Sequence, residues 1–232
     1  MSSVRPTGHD EGVRDRWQRW GPLSGVAYVI LVLVGIFAGG EGAGDTPEEH
    51  VAYYADSGNR AKEFAIFFVL VAAGLAFLWF LAGLRGILVR AEGEVARWTA
   101  LAYGAGVASA ALFLGAAALF VAPAGSAGEE SFREVNPSAV NIVGNAGYAM
   151  LVCSIIVATL LVLATSIVTL RTLVFPRWLS IAGFVVAPLL LLAVFFFPLF
   201  LWLAWVLAVS AVLILRTARV EDWRTRPTSA AG

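Results

Sequence analysis

An all-α, polytopic transmembrane bundle of six spans in three hairpins, with both termini cytoplasmic, is the fold this sequence predicts. Three observations predict it. Of 232 residues, 59% are hydrophobic and only 14% charged, against about 45–50% and about 25% in soluble domains. The apolar residues gather in unbroken runs of roughly 20, the length that crosses a bilayer as helix. The basic residues then fall in alternate loops, so that the runs thread back and forth. A mean hydropathy of +0.82 excludes a soluble enzyme, a disordered regulator and a disulfide scaffold. Net charge is +0, so no nucleic-acid partner is expected. The one cysteine, Cys153, allows no intramolecular disulfide.

Residues 1–20 read as a cytoplasmic tail ahead of a transmembrane domain over 21–216. The first span covers 22–40. Its length and the long tail of mixed charge before it mark a retained span rather than a cleaved signal. Spans at 64–84, 98–121 and 146–170 follow. The last apolar run, 178–215, would make one helix of about 57 Å, nearly twice the hydrocarbon layer. A turn at Pro188 leaves a first piece too short to cross. A turn at Pro198 gives spans of 178–197 and 199–215. Residues 217–232 form a second cytoplasmic tail.

Sidedness comes from the arginines. All but three of the 16 Lys and Arg residues lie in the two tails and the two inner loops. The exceptions are Arg60, Lys62 and Arg133, set among carboxylates such as Glu48, Glu49, Glu129 and Glu130. Both ends therefore face the cytoplasm. Arg-Trp opens each odd span at Arg19-Trp20, Arg97-Trp98 and Arg177-Trp178, and Leu-Arg closes each even one at Arg85, Arg171 and Arg216. The recurrence suggests repeated hairpins, although arginine and tryptophan are also what any inner interface selects.

The outer loops carry helix signals. Thr46, Pro47 and Glu49 read as a capping box opening a short helix through Ala55. Tyr53 and Tyr54 on it suit the outer interface. Ser126 and Glu129 read as a second box, Glu129 and Arg133 as an i, i+4 pair, and Asn136-Pro137 as the cap and first residue of the fourth helix.

No ionisable residue occupies the middle of any span, where such groups mark ion paths or relays. No catalytic or metal-binding motif appears, so neither enzyme activity nor a cofactor is expected. Two faces stand out at 100° per residue. On the first span Gly21, Gly25, Gly35 and Gly39 form a small-residue seam, which lets helices approach closely. On the fourth helix Asn141, Asn145, Tyr148, Thr159 and Ser166 form a polar stripe. The stripe either hydrogen-bonds neighbouring helices or lines an outward vestibule.

The segments Gly21-Pro22-Leu23-Ser24-Gly25, Asp45-Thr46-Pro47-Glu48-Glu49 with Tyr53-Tyr54-Ala55-Asp56, and Phe175-Pro176-Arg177-Trp178-Leu179 resemble an uncharacterised actinobacterial family of multi-span membrane proteins. The resemblance implies a bacterial inner-membrane location and carries no biochemical role. Two functions fit the sequence. One is a non-catalytic protein acting by packing with lipid, a protein partner or its own copies. The other is a carrier or pore for a small neutral or lipophilic solute.

Overall fold

The computed structural model describes residues 8–39, 46–127 and 137–225, and every regular element among them is helical. In chain order they are α1 (Gly8–Ala38), α2 (Pro47–Ala55), α3 (Ser57–Glu92), α4 (Arg97–Ser126), α5 (Pro137–Thr172), α6 (Arg177–Leu190) and α7 (Phe197–Thr225). Five are long and apolar enough to cross a membrane: α1 over Gly21–Ala38, α3, α4, α5 from Ser138, and α7 over Phe197–Arg216. This is a membrane protein. Helices α3 and α5 have 36 residues each, about 54 Å, so their ends stand beyond a hydrocarbon layer of about 30 Å.

The last apolar run breaks earlier than the sequence predicts. Helix α6 has only 14 residues, about 21 Å, and ends two residues after Pro188. Tight bonds from the Leu191 and Leu192 amides to the Pro188 and Leu189 carbonyls, 3.2 and 3.1 Å, take over from the helical ladder. A 3-10 turn at Ala193–Phe195 follows, and Phe196 takes a left-handed φ of 62°. Pro198 then sits in the first turn of α7. Proline is at ease there, because first-turn amides have no helical partner to lose. Pro198 thus starts a helix instead of separating two, and the expected span 178–197 is a short helix plus an irregular turn.

From α2 onward each helix packs on the next, with α4 and α5 in the most extensive contact, while α1 lies on both α3 and α7. The glycines of α1 explain how close it comes. A Cβ on Gly21 would stand 3.3 Å from the Gly83 Cα of α3, so the two backbones nearly touch. One turn on, a Cβ on Gly25 would strike the Ser210 hydroxyl of α7 and the Phe80 ring of α3. Mid-bundle, Tyr28, Phe77, Trp202 and Trp205 form a buried aromatic cluster. Tyr28 and Phe77 lie 4.8 Å apart between centroids, Phe77 and Trp202 5.5 Å, and Trp202 and Trp205 5.7 Å.

One end of the bundle gathers the arginines that close the spans. Arg85 lies over the Tyr103 ring, Arg171 over Trp98 and Arg216 over Phe175, at 5.2, 5.6 and 5.6 Å. At the same end, beyond the span, the Glu92 carboxylate closes the turn between α3 and α4. It accepts from the Trp98 and Thr99 amides at 2.9 and 2.8 Å and from the Thr99 hydroxyl at 2.7 Å. Those bonds satisfy first-turn amides of α4 that the residue before it, Ala96, cannot cap, because its methyl side chain has no acceptor. Partial burial works to raise the Glu92 carboxyl, but these bonds and the Arg171 charge outweigh it and hold it below its ordinary value.

Candidate functional site

The opposite end opens into a mostly apolar cavity of about 410 Å³ between α1, α3, α4, α5 and α7. Small residues make the room. Gly35 and Gly39 on α1 and Ala116 and Ala117 on α4 line it, where larger side chains would fill it. Val32, Phe113 and Leu199 form its deep part. One turn further in, on α1 and α7, the packed rings of Tyr28 and Trp202 take up the space, and Tyr28 meets Phe113 edge-on at 6.1 Å. Phe113, backed by Tyr28, gives the deep side of the cavity an aromatic floor.

Its polar groups lie at the mouth. Helix α2 crosses there, held by the capping box that the sequence predicts. The Glu49 amide donates to Thr46 Oγ1 at 3.3 Å, and the Thr46 amide donates to Glu49 Oε2 at 3.0 Å. Asp56 then caps α3 by accepting from the Gly58 and Asn59 amides. Arg60 ties the two helices together, donating to the Tyr54 and Ala55 carbonyls at 2.8 and 2.9 Å. This bracing turns Tyr54 inward. It is 8% exposed and lines the cavity, rather than lying on the membrane interface. Burial first, and then the negative charge of Glu63, push its hydroxyl above the usual range. Glu63 faces the same cavity, and its Oε1 accepts from the Tyr53 hydroxyl at 3.0 Å. Across the mouth, the Tyr148 hydroxyl donates to the Val194 carbonyl at 2.7 Å, tying α5 to the turn before α7.

No protein-family model, curated protein or solved structure matches this chain. The actinobacterial family expected from three short motifs is therefore not supported by these comparisons. Among the described residues the cavity offers an apolar pocket with one carboxylate, Glu63, and tyrosine hydroxyls at its rim.

The polar stripe of α5 divides along its length. Asn141 and Asn145 are exposed near the cavity end, and Tyr148 is 37% exposed at the mouth. Thr159 and Ser166 are buried. The Ser166 hydroxyl donates to its own helix at the Val162 carbonyl, 2.8 Å, and packs where Gly183 of α6 leaves room. The Thr159 hydroxyl has no hydrogen-bond partner among the described residues. Only Tyr148 of the stripe reaches the cavity, where it joins Gly35 and Gly39 of the glycine seam. Gly21 and Gly25 face α3 and α7 at the other end.

Glu63 and Tyr54 are the residues that sequence reasoning misses, since both look like ordinary interface groups. A helix-capping signal so close before the second span is the one hint that α2 folds back over the bundle. Glu129, needed for the expected box with Ser126 and the pair with Arg133, falls with Arg133 and Asn136 in 128–136, outside the described residues. Ser126 itself ends α4, donating to the Ala122 carbonyl at 3.1 Å. Among the described residues no cluster of three His, Cys, Asp or Glu could hold a metal ion.

Proposed function

We propose that this chain is a non-catalytic, multi-pass protein of the bacterial plasma membrane that binds a lipophilic molecule in the pocket under α2. The carrying observation is the pocket itself: about 410 Å³, within the size range of small-molecule sites, apolar in depth and polar only at its mouth. Such a pocket suits a ligand with an apolar body and a hydrogen-bond donor or positive charge directed at Glu63. The aromatic floor argues for binding or release on one side of the membrane rather than a continuous pore.

In this reading the chain crosses six times with both termini cytoplasmic. Arg85, Arg171 and Arg216 gathering at one end supports that orientation. Helix α6 and its irregular turn make the fifth crossing; buried Ala193 packs the turn toward α5 and α7, while Leu191, Val194 and Phe195 face outward as apolar side chains. Reporter fusions should read outside at Gly58 and inside at Glu94 and the C-terminus.

The test uses the purified full chain in nanodiscs and an environment-sensitive lipophilic amine as fluorescent probe. Binding should saturate at one site and weaken about tenfold in Glu63→Gln, the scale of a charged hydrogen bond. Gly35→Leu, whose side chain would enter the pocket, should abolish it. Probe uptake equal in native chain and both variants would refute the reading.

A second reading, action through packing with a partner or another copy, has one observation in its favour. A Cβ on Gly104 of α4 would meet nothing within 4 Å, so this glycine faces outward between Ala100 and Ala108, a small-residue spacing used in helix association. Crosslinking at Gly104→Cys would reveal such contacts.

A further inference from the structure

The arginine-rich end carries a second recess, separate from the pocket under α2. A groove of about 520 Å³ runs between α1, α3 and α7. Gly83 and Gly86 on α3 and Gly21 on α1 line it. A Cβ on Gly86 would meet nothing within 4 Å, so the groove is open there, while Gly83 packs on Gly21 and forms its wall. Trp79 stands at one extremity, 43% exposed. Arg90 and Arg216 stand at the other, both exposed. Trp79, Gly83, Gly86 and Arg90 recur at helical spacing and share one face of α3, a stripe about 16 Å long. No acidic side chain is among the described residues that line the groove. Stacking on Phe175, 5.6 Å away, steadies the Arg216 guanidinium without neutralising it.

We propose that this groove holds one anionic phospholipid, its phosphate between Arg90 and Arg216 and an acyl chain laid past Gly86 toward Trp79. Guanidinium groups present forked donors that match phosphate oxygens. Basic recesses between transmembrane helices at the cytoplasmic side are suited to lipid headgroups. The open face of Gly86 lets an acyl chain approach the backbone, contact that a free phosphate would leave unused. A zwitterionic lipid would bring its own cation toward two arginines. The proposal rests on membrane insertion and not on the ligand reading of the other pocket, so the two can fail separately.

The experiment is native mass spectrometry of the detergent-solubilised full chain with phosphatidylglycerol, with phosphatidylcholine of the same acyl chains, and with free glycerol phosphate. Phosphatidylglycerol should be retained as a single adduct about tenfold more strongly than phosphatidylcholine, the scale expected of membrane-proximal basic residues. The double variant Arg90→Gln/Arg216→Gln should remove that preference. Gly86→Leu, which projects into open groove, should reduce retention of phosphatidylglycerol. Arg85→Gln, whose guanidinium lies over Tyr103, should leave it unchanged. Equal retention of the two lipids, or native retention by the double variant, would overturn the proposal. Displacement by glycerol phosphate would overturn it too, by identifying a soluble phosphate ligand. Should the double variant not fold, Gly86→Leu decides alone, and unchanged retention there sinks the lipid site.

Discussion

Trp202 donates its indole N–H to the Tyr28 hydroxyl across the α1–α7 interface, at 3.0 Å and with both side chains buried. The two helices lie at opposite ends of the described chain, so this bond helps close the bundle. It lies about one helical turn beyond Val32 and Leu199, behind the deep side of the pocket. Tyr28→Phe keeps the ring packing against Phe77 and leaves the indole donor unpaired. The expected loss is about 1–2 kcal/mol, given interhelical bonds in membranes near the lower figure and the added cost of an orphaned donor. Trp202→Phe should also destabilise, and the double variant should lose less than the two singles together. Additive losses in reversible detergent unfolding would show that the bond contributes nothing.

The glycine seam of α1 should not respond uniformly. A Cβ on Gly25 meets a hydroxyl and a buried ring, whereas a Cβ on Gly35 meets the flexible end of Leu70 at 2.6 Å beside open pocket. Gly25→Leu should therefore cost about 3 kcal/mol or prevent folding, as overpacking does. Gly35→Leu should cost much less, although the sequence alone gives it the same disruptive weight, and Ile36→Leu should be close to neutral. Thermal unfolding in detergent checks the order. Equal losses at positions 25 and 35 would contradict it.

The long helices were legible because apolar runs of about 20 residues have one stable answer in a bilayer. The capping box at Thr46 and Glu49 was legible because its chemistry is local. What escaped depends on neighbours. Proline marks a boundary but not which side of it the helix lies on, and Pro198 fell inside α7. The angular spacing of Asn141, Tyr148, Thr159 and Ser166 is a property of α5 alone, whereas burial of the last two depends on α6 covering them. Glu63 became a pocket residue because α2, braced on α3 by the short-range bonds of Arg60 and Asp56, also packs on α5, a tertiary contact that no local pattern encodes.

Glu92 gives the arginine-rich end an acid sensitivity whose sign follows from its environment. Its folded-state carboxyl titrates below the ordinary value. Its contribution is therefore present above the unfolded-state value and lost as pH falls through the folded one. The native chain should melt higher than Glu92→Gln at pH 7, and the gap should shrink on acidification below the ordinary carboxylate range. Thermal unfolding of both from pH 7 to pH 3 checks this. A gap that widens in acid would mean that Glu92 does not act through its charge.

The α5 stripe separates a pocket from a passage. In a Cys153→Ala background, cysteines replacing Asn141, Asn145, Tyr148 and Thr159 can be challenged with a membrane-impermeant thiol reagent. Asn141 and Asn145 are exposed, so Asn141→Cys and Asn145→Cys should react when the outer face is treated. Tyr148 is partly exposed at the mouth, so Tyr148→Cys should react more slowly. A lipophilic ligand in the pocket should slow it further. Thr159 is 6% exposed and lies about 16 Å deeper along the helix axis, so Thr159→Cys should stay unreacted. Off-stripe Leu160→Cys should match it, since the 45% of Leu160 that is exposed would face lipid, where a charged reagent does not go. Reaction at 159 but not at 160 would mean that water reaches past the aromatic floor, and the chain would then have to be read as a carrier or pore. Reaction ending at 148 is the outcome that the Tyr28 and Trp202 rings dictate.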